Sequence, residues 1–344
     1  MIFALWLLAI LVITQLVLLV YTIMTKRSSI RQDRLLNEAY EKMHPKLYQY
    51  FIGEEAMDPR LPDRQKTRVA LVELSVDQFL KEEHSADQCS RAKALAEKVL
   101  SEPYKRILRS NQWAERMNAL YYIEDFEICS LEEDVTSHLR AIKHPGGEEY
   151  RQALRVLAVM QSDIVVEELI KHPHSIVFCK EILRRMNHVL FDELASRLGE
   201  ESHPELYQAF IVHVGEHGLD AHMMKVEKAF RDTRTETRLK ALRAIAFSKK
   251  LRDSSKLTPF FTSEIWQERM YAAKVVGAIE DKTLLAKVKP LLSDREWWVR
   301  YAAADTIATF GISELYETLP SLEDPYAEDM IRQMITREGG VAHV

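Results

Sequence analysis

Glycine and cysteine are both scarce in this chain: 344 residues hold ten of the first and three of the second. With 47% hydrophobic and 29% charged residues around so few glycines, the composition suits a helical protein with a solvated surface. It argues against disorder and against an all-β fold. Cys89, Cys129 and Cys179 are odd in number, far apart and in no CxxC spacing. They form no disulfide framework and read as reduced, buried thiols of a cytosolic compartment. No excess of positive charge exists either, since the net charge is −5, so nothing in the balance calls for nucleic acid. Missing too are the GxxxxGK[ST] phosphate loop, the GxSxG nucleophile elbow and the HExxH zinc helix.

Charge is absent altogether from the first stretch, MIFALWLLAILVITQLVLLVYTIM, residues 1–24. As a helix this run reaches roughly 35 Å, enough to cross a bilayer core of about 30 Å. Trp6 and Tyr21 lie towards its ends, where aromatic rings favour the interface. The segment 25–37 follows with Lys26, Arg27, Arg31 and Arg34. Such a basic flank stays on the cytoplasmic side, which places the N-terminus outside and the bulk of the chain in the cytoplasm. A cleaved signal peptide would show a basic region before the apolar run and a small-x-small site after it, and neither is present.

Beyond the anchor the chain repeats itself. IWQERMYAAKVVGAIED from Ile265 lies over EWWVRYAAADTIATFG from Glu296, about 31 residues on. Arg116, Arg238, Arg269 and Arg300 share one position, each followed by an Ala/Leu/Ile stripe. Ser110, Asp232, Ser263 and Asp294 stand six residues before them as helix-starting residues. Trp113, Trp266 and Trp297 share another position. Weaker copies surround Ala153, Ile182 and Phe210, and a final capping copy surrounds Met330. Each stripe is one face of an amphipathic helix, and a second helical stretch separates the copies. Neither helix buries its stripe alone, so units must stack. The expected fold is all-α: a single transmembrane helix, a helical part over 38–105 of uncertain register, and a solenoid of repeats over 106–338.

LLSDREWWVRYAAADTIATFG resembles a HEAT or HEAT-like repeat of the bilin-lyase type, in a membrane-anchored setting of bacterial style. The resemblance is sharp over 220–311, recognisable near 105–125 and degenerate over 140–218. It implies that the recurring arginines bridge to the turn aspartates Asp232 and Asp294, and that the shared tryptophans pack across the turn between repeats. Enzymes exist on this architecture, but the dimetal hydroxylases rely on His-Glu dipeptides, which this chain lacks. Nothing marks a bilin site, and the related DNA glycosylases are basic and soluble.

Of twelve histidines, four precede prolines, and at His144, His172 and His203 the proline suits the first position of a helix. Histidines one repeat apart are too distant to share a metal, so no metal and no cofactor are expected. The working surface expected from charge is 225–256, with eleven basic residues against four acidic ones. Arg234, Lys249, Lys250 and Arg252 there, together with Trp298, are the candidate contacts for a partner protein or for anionic lipid. In contrast, 312–330 is acidic. The functional expectation is a non-enzymatic scaffold holding a membrane-associated partner, such as a polytopic enzyme or a secretion assembly. Two alternatives stand beside it: a lipid-binding module acting through the basic patch, and an enzyme with a site assembled across repeats. No small-molecule substrate is evident.

Overall fold

The computed structural model describes residues 2–54, 60–199 and 203–341. Met1 of the expected anchor, residues 55–59 of the 38–105 part and residues 200–202 of the repeat region lie outside the described residues. Among the described residues the secondary structure is helical throughout, without a strand. Contacts divide the chain into two compact units, Met1–Ser162 and Asp163–Val344.

The first unit contains α1 (Ile2–Ile52), α2 (Gln65–Leu80), α3 (Ala86–Ile107), α4 (Trp113–Asp125), α5 (Glu132–Ala141) and α6 (Glu148–Val159). α1 is a single helix that carries two different surfaces. From Ile10 to Met24 its apolar side chains are exposed, and by length and composition this helix could cross a membrane. Lys26, Arg27, Arg31 and Arg34 are exposed just beyond. Further on, Met43, Leu47 and Phe51, spaced by one helical turn, are buried. Phe51 packs on Phe79 of α2 at 4.9 Å between ring centroids. α3 opens with a capping box, Ser85 with Gln88, which satisfies two backbone donors that would otherwise be orphaned.

The second unit contains α7 (Ile164–Lys171), α8 (Ile176–Leu183), α9 (His188–Arg197), α10 (Pro204–His217), α11 (Met223–Lys228), α12 (Thr235–Ser248), α13 (Trp266–Ile279), α14 (Leu285–Val288), α15 (Trp297–Thr309), α16 (Ile312–Thr318) and α17 (Pro325–Val341). The long helices α8, α10, α12, α13, α15 and α17 pack in that order, each on the next. Their repeated stripes, such as Ala241, Leu242 and Ile245 or Ala303, Ala304 and Ile307, are fully buried. Stacking therefore hides what no single helix could hide, and a row of helical repeats is the observed architecture of this unit.

From residue 220 on, the alternate helices are not the regular α-helices that the sequence pattern suggests. Residues 254–262 form a 3₁₀ helix, and α11, α14 and α16 are short α segments that run into 3₁₀ turns. Pro259, Pro290 and Pro320 each sit four residues before the turn residues Ser263, Asp294 and Asp324. A proline there removes a backbone donor, so the i→i−4 ladder stops and a tighter turn takes over.

Four of the long helices, α10, α12, α13 and α15, end on a left-handed residue. Gly218, Lys249, Glu280 and Gly311, 31 residues apart in series, have φ of 60°, 59°, 54° and 103°. Glycine suits that conformation, whereas lysine and glutamate are strained in it. Glu280→Gly is expected to raise stability by roughly 0.5 kcal/mol, the relief of strain outweighing the added freedom of the unfolded chain. Calorimetry of the full-length protein would show a higher melting temperature, and a lower one would count against strain at Glu280.

The turns between the two helices of a unit are built alike. Ser110, Asp232, Ser263, Asp294 and Asp324 each accept, through their side chain, the backbone N–H two residues on. They stand ahead of the N-caps, which are Gln112, Arg234, Ile265 and Glu296 for the first four. So the expected helix-starting residues shape the turn and do not cap the helix. Of the His-Pro pairs, only Pro204 occupies a first helical position. Pro145 lies in a turn, and Pro173 precedes the N-cap Ser175.

Candidate functional site

The repeated arginines form a ladder with one rule and one exception. Every member donates Nη1–H to the carbonyl of the turn residue six positions back. The distances are 2.7 Å for Arg116 to Ser110, 2.8 Å for Arg238 to Asp232, 2.6 Å for Arg269 to Ser263 and 2.7 Å for Arg300 to Asp294. The other side of three guanidiniums meets a carboxylate of the following unit. Arg116 binds Glu149 at 2.6 and 3.0 Å, Arg238 binds Glu268 at 2.6 Å, and Arg269 binds Asp294 at 2.6 and 2.8 Å. Arg300 has no such carboxylate among the described residues. Asp232 turns to Arg234 instead of Arg238, at 2.6 Å.

Between the first helices of two neighbouring units, residues 220–231 and 254–262, lies a groove of about 950 Å³. Its floor is apolar. Phe230 and Phe260, both buried, meet edge to face at 5.3 Å, flanked by Met224 and Pro259. Cations surround that floor: Lys225, Lys228, Arg231, Arg252 and Lys256. The two buried acids in the wall are already neutralised. Glu227 accepts from Lys256 at 2.7 Å and from the Arg252 N–H at 2.9 Å. Glu268 accepts from Arg238 and from the Ser263 hydroxyl, both at 2.6 Å. Lys225 donates to the Ala195 and Leu198 carbonyls at the end of α9, a favoured place for a cation. Burial, with Lys228 second, lowers its pKa. Arg231 and Arg252 are exposed, and their guanidiniums meet no carboxylate among the described residues. A groove of this size, with an apolar floor and unspent positive charge at its rim, fits a segment that is acidic and apolar at once.

The residues expected from sequence fall in different places. Arg252 lines the groove. Lys249 and Lys250 line a smaller hollow of about 430 Å³, which shares Glu227 and Arg252 with it. Lys250 pairs with Asp220 at 2.6 Å, while Lys249 is the strained, exposed end of α12. Arg234 is spent on Asp232 and lines neither. Trp298 lies on α15 and is 56% exposed. Trp113 and Trp297 are exposed too, and Trp266 is half-buried. Trp113 and Trp297 therefore do not seal their turns as expected, whereas Trp266 is partly covered. Cys129 is exposed, Cys89 half-buried, and Cys179 alone is buried, its thiol pushed up to about 12 by burial and then Glu205. The expectation of three buried thiols fails because Cys129 opens a surface 3₁₀ turn. Sequence reading missed Met224, Phe230, Pro259 and Phe260. The available signal was Met224, an apolar residue outside the buried stripe of its helix.

A second hollow of about 470 Å³ gathers His188, His213, His217 and His222 beside Phe191. The His213 and His217 rings stack at 4.1 Å, and His222 meets Asp192 at 2.7 Å. Among the described residues no group of three or more His, Cys, Asp or Glu is placed to hold a metal. Burial, helped by His217, lowers the His213 pKa to about 4. Folded His213 therefore stays neutral while the unfolded side chain takes up a proton below about 6.5. Stability is expected to fall as the pH drops from about 6.5 to 4, and His213→Leu should flatten that part of the profile. Urea unfolding at several pH values reads it, and an unchanged slope in the variant would assign the loss to other groups.

No family model matches the chain, and no curated protein matches it. Among solved structures it is similar to the crystal structure of Kap121p, with 10% identity and a TM-score of 0.39 over 88% of this chain. The chain spans 42% of that protein's length. It is similar also to an engineered protein, with 13% identity and a TM-score of 0.30, over 80% of this chain and 86% of the other. At those scores the assignment of a helical-repeat fold rests on the stacked helices and the ladder themselves.

Proposed function

We propose that this chain is a single-pass membrane scaffold whose cytoplasmic repeats hold an acidic, apolar segment of a membrane-associated partner protein. The observation that carries the reading is the groove between residues 220–231 and 254–262, with its phenylalanine floor and its uncompensated Arg231 and Arg252. The exposed apolar face of α1 from Ile10 to Met24, followed by exposed Lys26, Arg27, Arg31 and Arg34, supports the anchor and its orientation. Tethering beside the bilayer raises the effective concentration of the groove for other membrane proteins. A polytopic enzyme or a secretion assembly is the kind of client such an arrangement serves. The role is non-enzymatic: the groove offers shape and charge to a ligand, and its buried acids are held by arginine and lysine.

The test uses full-length protein in native membranes, with a photo-reactive residue in place of Met224, 58% exposed beside the groove floor. One dominant crosslinked protein is expected, reduced about tenfold when Arg231 and Arg252 are both changed to glutamate. Those two side chains hold no ion pair among the described residues, so their reversal breaks none. Adducts with lipid alone, lost on reversing Lys249, Lys250 and Arg252, would move the reading to a lipid-binding module. No adduct above background would remove the groove as a binding site.

A further inference from the structure

Arg300 is the ladder member whose carboxylate is missing. In Arg116, Arg238 and Arg269 the Nε–H points at an acid 2.6 Å away. In Arg300 the Nε is buried and has no hydrogen-bond partner among the described residues. Asp324 stands where Asp294 stands in the preceding unit, but its carboxylate accepts the Tyr326 N–H and forms no ion pair with Arg300. The guanidinium lies over the Tyr326 ring instead, 5.8 Å from its centroid. A buried donor without an acceptor is costly, and native structures rarely tolerate one without a reason.

The surroundings supply the reason. Tyr326 is 71% exposed, Trp298 56% and Trp297 45%. Trp297 touches Trp298 at 4.7 Å and Tyr301 at 5.3 Å, and it shares a helix face with Arg300 three residues on. Exposed tryptophan and tyrosine beside an arginine is the composition of an interface hot spot. We infer that Arg300, with Trp297, Trp298 and Tyr326, is a docking site for a partner-protein segment that presents one carboxylate beside apolar side chains. The incoming carboxylate takes the place that Glu149, Glu268 and Asp294 hold for the other arginines, and the Tyr326 ring yields to it. A planar carboxylate matches the Nε and Nη2 edge, as it does at Arg116 and Arg269. The site is separate from the groove and does not depend on it.

The test measures binding of two short labelled peptides to full-length protein in detergent. They are identical in leucine and phenylalanine content and differ by a central Glu or Gln. The Glu peptide is expected to bind about tenfold tighter. Arg300→Gln should abolish that preference, and Trp298→Ala should weaken both peptides about tenfold. Tyr326→Glu places a carboxylate beside Arg300 within the chain. It should raise the melting temperature by a few degrees and remove the preference, which keeps the test decisive if Arg300→Gln fails to fold. Equal binding of the two peptides, no binding of either, or a Tyr326→Glu protein unchanged in both respects would overturn the proposal.

Discussion

Arg269→Met is expected to destabilise the second unit by about 3–5 kcal/mol. The Arg269 and Asp294 side chains are each only 8% exposed, and they meet through two hydrogen bonds at 2.6 and 2.8 Å. Methionine fills much of the volume but leaves Asp294 buried and unpaired, and it leaves the Ser263 carbonyl without its donor. Truncating one partner of such a pair costs far more than the pair itself contributes. Burial alone would raise the Asp294 pKa. The Arg269 hydrogen bond, the Glu296 N–H and the Arg269 charge reverse that and hold it below the usual range. In the native protein, then, its contribution is present above the ordinary carboxylate pKa and is lost as the pH falls through the lower folded value. In Arg269→Met the sign inverts: burial raises the folded pKa, so acid protonates Asp294 and narrows the gap to wild type. Urea denaturation at pH 7 and pH 5 measures both effects. The double variant Arg269→Met, Asp294→Leu should recover most of the loss, and the cycle isolates the pair. A single-variant loss under about 1 kcal/mol would class the pair with surface salt bridges.

Gly215→Val is expected to cost about 3 kcal/mol, the upper end for overpacking. A Cβ on Gly215 of α10 would lie 2.5 Å from the Ala244 Cβ and 2.6 Å from its Cα on α12. The obstacle is backbone, not the end of a flexible side chain, so the helices must separate and open the buried seam between them. The same position one, two and three units on holds Ala246, Gly277 and Ala308, small in every copy. Gly277 tells the two situations apart. Its added Cβ would sit 3.2 Å from the Thr306 hydroxyl and 3.4 Å from the Thr306 Cα, so a shift of a few tenths of an ångström makes room for it. Gly277→Ala also gains helix propensity of up to about 1 kcal/mol, and it should be close to neutral. Chemical denaturation of both variants checks the contrast. Equal losses would show that the crossing of α10 and α12 is no tighter than that of α13 and α15.

The sequence by itself determined the features that repeat locally. Helix period, the buried Ala/Leu/Ile stripe, the 31-residue interval and the charge-free first stretch follow from neighbours within a few residues along the chain, and a pattern records them directly. The ladder arginines were visible for the same reason. Their carboxylates were not, because Arg238 takes Glu268 whereas Arg269 takes Asp294. Which acid is reached depends on the offset between stacked helices and on whether the turn residue is Ser263 or Asp294. Only the tertiary structure decided where the apolar and basic surfaces meet. Phe230 and Phe260 are thirty residues apart in sequence and in ring contact in space. Within the basic stretch, packing set Arg234, Lys250 and Lys256 against carboxylates and left Arg231 and Arg252 uncompensated. The exposed tryptophans and the unmatched Arg300 belong to the same class. A repeat pattern states what each copy has in common, and a binding surface arises where one copy lacks what its neighbours supply.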